Sequence, residues 1–104
     1  MSEGHYVFII GYQPRDDRSN LEALEMILAA AALEIDIAVV FTIEASAWLN
    51  EQGGARWRQL VDFDLAKLHQ LRLESTHEVV IPIATITPNE FAELREPADR
   101  VIVL

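Results

Sequence analysis

The chain has 104 residues, a formal net charge of −9 and no cysteine. This length is close to the commonest domain size, so we expect one domain spanning residues 1–104. The acidic balance argues against direct binding to nucleic acid or to an anionic membrane, because both repel a negative surface. The lack of cysteine excludes a disulfide framework, a thiolate metal site and covalent cysteine chemistry by this chain. Since the sequence shows neither a signal-peptide pattern nor a membrane-length apolar run, we expect a cytoplasmic protein.

The first half of the chain predicts a strand, a helix and a second strand. Tyr6–Ile10 is a short continuous apolar run, which is typical of a strand buried on both faces. Ser19 and Glu22 have the spacing of a capping box and predict a helix from Asn20 to Leu33. Because this helix is apolar around almost its whole circumference, we expect one side to cover a sheet and another to meet a second subunit. Ile37–Phe41 is the second predicted strand.

The second half predicts three more helices and two more strands. Their predicted ranges are Glu44–Asn50 (helix), Trp57–Leu71 (helix), Val79–Ile83 (strand), Pro88–Leu94 (helix) and Val101–Leu104 (strand). Thr87, Pro88 and Glu90 have the pattern of an N-cap, a proline at the first helical position and a capping-box glutamate. Pro82 cannot donate a ladder hydrogen bond, so its strand is expected near a sheet edge or to end early. A further strand near Gln70–Glu74 is a weaker alternative.

Buried strands that alternate with helices predict an α/β fold with a mainly parallel sheet. Right-handed crossovers then give a small doubly wound, flavodoxin-like three-layer sandwich with four or five strands.

In such folds, ligands bind beyond the carboxyl ends of the strands, and three predicted loops reach that edge. The candidate crevice residues are Tyr12, Gln13, Arg15, Thr42, Glu44, Thr85 and Thr87. The alternative is that these side chains only cap helices and satisfy loop backbones. A crevice of this kind would suit a stand-alone small-molecule-binding or regulatory domain. An enzyme with non-cysteine acid–base chemistry, with Glu44 as its acid or base, is a third hypothesis.

A second set of residues predicts an interface with another subunit. The candidates are Met26, Ala30, Leu33, Trp48 and Trp57. The two tryptophans fit equally well as core anchors or as interface anchors. The three histidines are scattered without metal-ligand spacing, so we expect no metal site and no cofactor.

Several segments together carry a family resemblance. They are Tyr6–Ile10, Ser19–Leu33 (SNLEALEMILAAAAL), Ile37–Ile43 (IAVVFTI) and Pro88–Leu104 (PNEFAELREPADRVIVL). The pattern resembles the DsrE/DsrF-like family of small sulfur-relay proteins, and most of all its DsrF (TusC) branch. The resemblance implies a cytoplasmic protein that self-associates, as a dimer to a hexamer, or that assembles with related DsrE-family subunits. Such complexes pass persulfide sulfur from cysteine to cysteine.

The chain departs from the catalytic members of that family at the sulfur-carrying position. Where active subunits place a cysteine after the third strand, this sequence has Pro82, Ile83, Ala84 and Thr85. Persulfide transfer needs a thiolate, and no other side chain replaces it. We therefore expect a non-catalytic subunit that acts in oligomer assembly or partner binding within a sulfur-relay system.

Overall fold

Short apolar runs form a central sheet, and a computed structural model describes residues 4–11, 17–43, 48–49, 54–71 and 83–104 of the chain. The strands are β1 (His5–Ile10), β2 (Asp36–Phe41), β3 (Lys67–Leu71), β4 (Ala84–Ile86) and β5 (Arg100–Val103). The helices are α1 (Asp17–Ala31), α2 (Gly54–Asp62) and α3 (Pro88–Arg95).

The five strands are all parallel and lie in the order β4-β3-β2-β1-β5. One register row runs across the whole sheet, through Val103, Ile9, Val40, His69 and Ala84. The chain moves outward from β1 to β4 and then returns through α3 to β5 at the opposite edge. This reversal of strand order is the mark of a doubly wound sheet.

The two faces of the sheet are covered unequally. Phe8, Val39 and Phe41 face α1 and α2 and belong to the larger core cluster. On the other face, Val7 and Val40 belong to a smaller cluster, against which α3 packs with partly buried side chains only. The chain thus has the predicted α/β, flavodoxin-like three-layer fold, with the sheet between α1 and α2 on one side and α3 on the other.

The predicted helix Trp57–Leu71 is wrong in its second half, where the structure has a helix end followed by β3. Asp64 adopts a left-handed backbone conformation with φ 52°. The Leu65 N–H donates to the Leu60 carbonyl at 2.8 Å, and the Asp64 N–H donates to the Val61 carbonyl at 3.1 Å. This pair of bonds is a Schellman motif, which ends the helix. Leu68 fits both a helical and an alternating spacing, and this ambiguity explains the error.

The starts of α1 and α3 test two predicted capping boxes. Helix α1 begins at Asp17, so Ser19 lies inside its first turn and the capping box at Ser19 is wrong. The box at Thr87 is confirmed, because the Glu90 N–H donates to Thr87 Oγ1 and the Thr87 N–H donates to Glu90 Oε1, each at 3.2 Å.

Two predicted elements fall mostly outside the described residues. Only Ile83 of the predicted strand Val79–Ile83 is described, and it directly precedes β4, an edge strand. Of the predicted helix Glu44–Asn50, only Trp48 and Leu49 are described, and both lie in a turn. In the part of the chain that the structure describes, no helix is long and apolar enough to cross a membrane.

Candidate functional site

The predicted crevice lies at the carboxyl edge of the sheet, where Gly11 follows β1 and Thr42 follows β2. Four of its seven candidate residues lie outside the described residues, namely Tyr12, Gln13, Arg15 and Glu44. Thr42, Thr85 and Thr87 are described, so their positions can be compared with the prediction.

The structure brings Thr42 against the end of β1. Its hydroxyl donates to the Ile10 carbonyl at 3.4 Å, and its backbone N–H donates to the same carbonyl at 2.9 Å. A Cβ at Gly11 would come within 3.0 Å of Thr42 Oγ1, so the close approach of these two strand ends favours glycine.

Thr85 and Thr87 are not brought beside Thr42. They belong to β4 and its helix cap, and β3 lies between β4 and β2. The Thr87 hydroxyl is engaged in the α3 capping box, and Thr85 is exposed on the edge strand. Thr87 therefore has the capping role that the alternative interpretation predicts, whereas Thr85 lies within β4 and not in the predicted loop.

Gln70 is the residue of this edge that sequence reasoning missed. It is 2% exposed, and its Nε2 donates to the carbonyls of Phe41, Ile43 and Leu71 at 3.0, 2.7 and 2.9 Å. Gln70 lies on β3 directly opposite Phe41 of β2. Its amide therefore fixes the backbone that follows β2 against the end of β3. The available signal is the alternation of Ala66, Leu68 and Gln70, which places Gln70 on the buried face of a strand.

Trp48, Trp57 and Phe41 form an aromatic cluster beneath the same edge. The two indoles meet edge to face with their centroids 6.1 Å apart, and Phe41 lies 5.7 Å from the Trp57 ring. The Trp57 indole N–H donates to Asn20 Oδ1 at 2.7 Å. Both tryptophans are fully buried. Of the two roles predicted for them, the structure shows core packing, which leaves their rings no surface for a partner.

Of the remaining interface candidates, Met26 and Leu33 are exposed to solvent, whereas Ala30 packs against the larger core cluster. Met26 is 50% exposed and Leu33 is 65% exposed, while Ala30 is half-buried. The structure adds Phe63, which follows α2 and is 71% exposed. Leu33 directly precedes Glu34, and Phe63 directly precedes Asp64. Glu34 and Asp64 both have a positive φ and follow the ends of two neighbouring helices, α1 and α2.

A cavity of about 650 Å³ lies at the opposite, amino-terminal edge of the sheet. Its wall includes Asp36, Lys67, His69 and, from α3, Leu94. Burial lowers the pKa of His69 below its usual 6.5; nearby Lys67 lowers it further, and Glu90 opposes both effects. The ring is therefore neutral near pH 7. Its Nδ1 atom is buried without a hydrogen-bond partner.

Among the described residues, no group of three histidine or acidic side chains could hold a metal ion.

Comparisons with known proteins identify the family of the chain. A search of curated proteins finds no significant match. The model of the DsrE/DsrF-like family matches residues 4–104, nearly the whole sequence, and the chain therefore belongs to the DsrE/DsrF-like family.

Proposed function

We propose that this chain is a non-catalytic DsrE/DsrF-like subunit that acts in oligomer assembly or partner binding. Membership of the family suggests a role related to sulfur relay. The observation that carries the proposal is that the family pattern extends over residues 4–104 while the 104 residues include no cysteine. Because persulfide transfer requires a thiolate, the sulfur-carrying group would come from another chain.

The exposed apolar side chains of the α1 and α2 layer support an assembly role. Met26, Leu33 and Phe63 expose half or more of their surface on this side of the molecule. Ala29 and Ala32 are also exposed on α1, and small residues permit a close approach of another chain. Exposed apolar surface of this kind favours protein–protein contact.

Light scattering coupled to size exclusion, with native mass spectrometry, tests this proposal. We expect the wild-type chain to form an oligomer at micromolar concentration, alone or with co-expressed DsrE-family subunits. Met26→Glu and Leu33→Glu should each dissociate the assembly, because they place a charge in an apolar contact. Ala92→Glu, at an exposed position of α3 on the other face of the sheet, is the matched control for an added charge. A wild-type chain that stays monomeric both alone and with such partners would contradict the proposal.

The stand-alone alternative, in which a small molecule binds in the crevice at the carboxyl edge, gains no separate support from the described residues. The hydroxyls of Thr42 and Thr87 already have partners within the chain. A thermal-shift panel of nucleotides and small anions would test it, and a melting temperature that no compound changes would count against it.

A further inference from the structure

The amino-edge cavity carries charges of both signs that do not pair with one another. Lys67, the only lysine of the chain, and Asp36 both line it. Lys67 lies opposite Ala38 of β2, and Asp36 is two residues before Ala38, so their Cα atoms are about 8 Å apart. Among the described residues, the ion pair Arg18–Glu22 is formed elsewhere, on α1, and none joins Lys67 to Asp36.

The missing ion pair between Lys67 and Asp36 is unexpected in a chain whose net charge is −9, because acidic side chains outnumber basic ones. In such a chain, an exposed lysine near acidic side chains can readily form an ion pair with one of them. Glu34 and Asp64 line the same cavity as Lys67. Among the described residues, no ion pair joins Lys67 to any of these acidic side chains. A small molecule that carries both signs would fit this arrangement.

His69 adds a hydrogen-bonding group to the same wall. It is two residues from Lys67 on β3, so both side chains lie on the α3 face of the sheet. The ring makes no hydrogen bond to any described residue, and its Nδ1 atom is buried. A buried polar atom without a partner costs about 1–3 kcal/mol. Because Nδ1 is closed to solvent, Nε2 is the ring nitrogen that His69 can offer to a ligand in the cavity.

The apolar part of the cavity lies between these polar groups. Ala38 contributes to the sheet floor and Leu94 of α3 contributes to the wall. Leu94 is half-buried and packs against the smaller core cluster. The cavity volume of about 650 Å³ is within the range of small-molecule sites.

We propose that this cavity is a second binding site, for a small zwitterion of the amino-acid type. The ligand's carboxylate would face Lys67 and His69, its ammonium group would face Asp36, and its apolar side chain would lie against Leu94. The site is at the opposite edge of the sheet from the predicted crevice. It does not depend on the assembly role proposed above.

Three probes of similar shape separate the charges that this site should recognise. Leucine carries both charges, 4-methylpentanoate carries only the carboxylate, and isoamylamine carries only the ammonium group. Each is titrated into the wild-type chain while the ring signals of His69 are followed by NMR and the melting temperature is recorded. We expect leucine to shift the His69 signals with saturation, and to bind about tenfold more tightly than either single-charge probe.

Substitutions of the two charged residues test the orientation of the ligand. Lys67→Gln and Asp36→Asn should each weaken leucine binding about tenfold. Arg56→Gln and Glu93→Gln are the matched controls, since both residues are exposed and do not line the cavity. These controls should bind leucine as the wild type does. Circular dichroism verifies that each variant is folded.

Two results would overturn this inference. One is the absence of a saturable His69 shift with leucine up to about 10 mM, which would leave any affinity too weak for a site. The other is binding of isoamylamine as tight as that of leucine and unchanged in Asp36→Asn, since that would indicate general attraction of a cation to an acidic protein.

Discussion

Replacing Gln70 with glutamate should lower the free energy of unfolding, and the size of this loss should depend on pH. The wild-type amide donates to three backbone carbonyls within 3.0 Å and is almost completely buried. A glutamate carboxylate has nearly the same shape but no N–H donor. Above its pKa, it would place a buried negative charge against three carbonyl oxygens.

The size of the effect follows from these contacts. Burial and the facing carbonyls should raise the pKa of the new glutamate above its usual value of about 4.3, by about two units or more. At 1.36 kcal/mol per unit, this gives a loss of about 3 kcal/mol at neutral pH, in addition to about 1 kcal/mol for each lost hydrogen bond. Since the folded pKa is raised, the loss grows as the pH rises from about 4.3 through the folded pKa.

Urea unfolding at about pH 4 and about pH 7.5 measures this prediction. The fluorescence of the two buried tryptophans, Trp48 and Trp57, reports the transition. Relative to wild type, Gln70→Glu should lose much more stability at the higher pH. Gln70→Leu should lose about 1–3 kcal/mol at both, because it removes the donor without adding a charge. Gln59→Glu, at an exposed position on α2, is the matched control.

The reasoning is refuted if the stability difference between Gln70→Glu and wild type is the same at both pH values. Such a result would show that residue 70 is hydrated in solution. It would also mean that the amide does not hold the end of β2 against β3.

Three further predictions concern a helix end, a buried indole and a histidine. Glu34 has a φ of 60°, which glycine adopts without strain, and its negative charge follows a helix end that has no basic residue in its last turn. Glu34→Gly should therefore raise the melting temperature by roughly 4–8 °C, whereas Glu25→Gly within α1 should lower it. Asn20→Ala should cost about 1–3 kcal/mol in urea unfolding, because it leaves the Trp57 indole N–H without its acceptor; a double-mutant cycle with Trp57→Phe should show that the two losses are not additive. The pKa of His69 is lowered in the folded chain, so the unfolded chain binds a proton first as the pH falls below 6.5, and the stability of the wild type decreases there. His69→Gln should remove that part of the decrease. A pH profile of stability that this substitution leaves unchanged would contradict the prediction.

The sequence predicts those parts of the fold that depend on local patterns. The apolar runs at Tyr6–Ile10 and Ile37–Phe41 are strands, as predicted, and the Thr87 capping box is formed as predicted. Each of these signals involves neighbours along the chain. The same kind of local pattern predicts the helix Trp57–Leu71, and its second half is wrong, because a left-handed residue other than glycine, such as Asp64, has no unique sequence signature.

The candidate sites depend on contacts between distant parts of the chain, and local patterns do not encode these. The three carbonyls that hold Gln70 belong to two strand ends, and two of them lie 27 and 29 residues away along the chain. Asn20 and Trp57 are separated by 37 residues. The sequence pattern predicts a helix at His69, in which its neighbours would be three or four residues away along the chain. On β3 it instead lies beside Val40 and Ala84, with Lys67 two residues earlier on the same face.

The two edges of the sheet differ in how their polar groups are satisfied. At the carboxyl edge, Gln70, Thr42 and Thr87 use their described polar groups to hold strand ends and a helix cap. At the amino edge, Lys67 and Asp36 line a cavity with no ion pair between them, and a nitrogen of His69 is buried without a partner. Polar groups that are already satisfied stabilise a fold, whereas polar groups left without partners beside a cavity favour a ligand. This contrast favours the amino edge as a ligand site, opposite the edge where Thr42 and Thr87, two described residues of the predicted crevice, follow their strands.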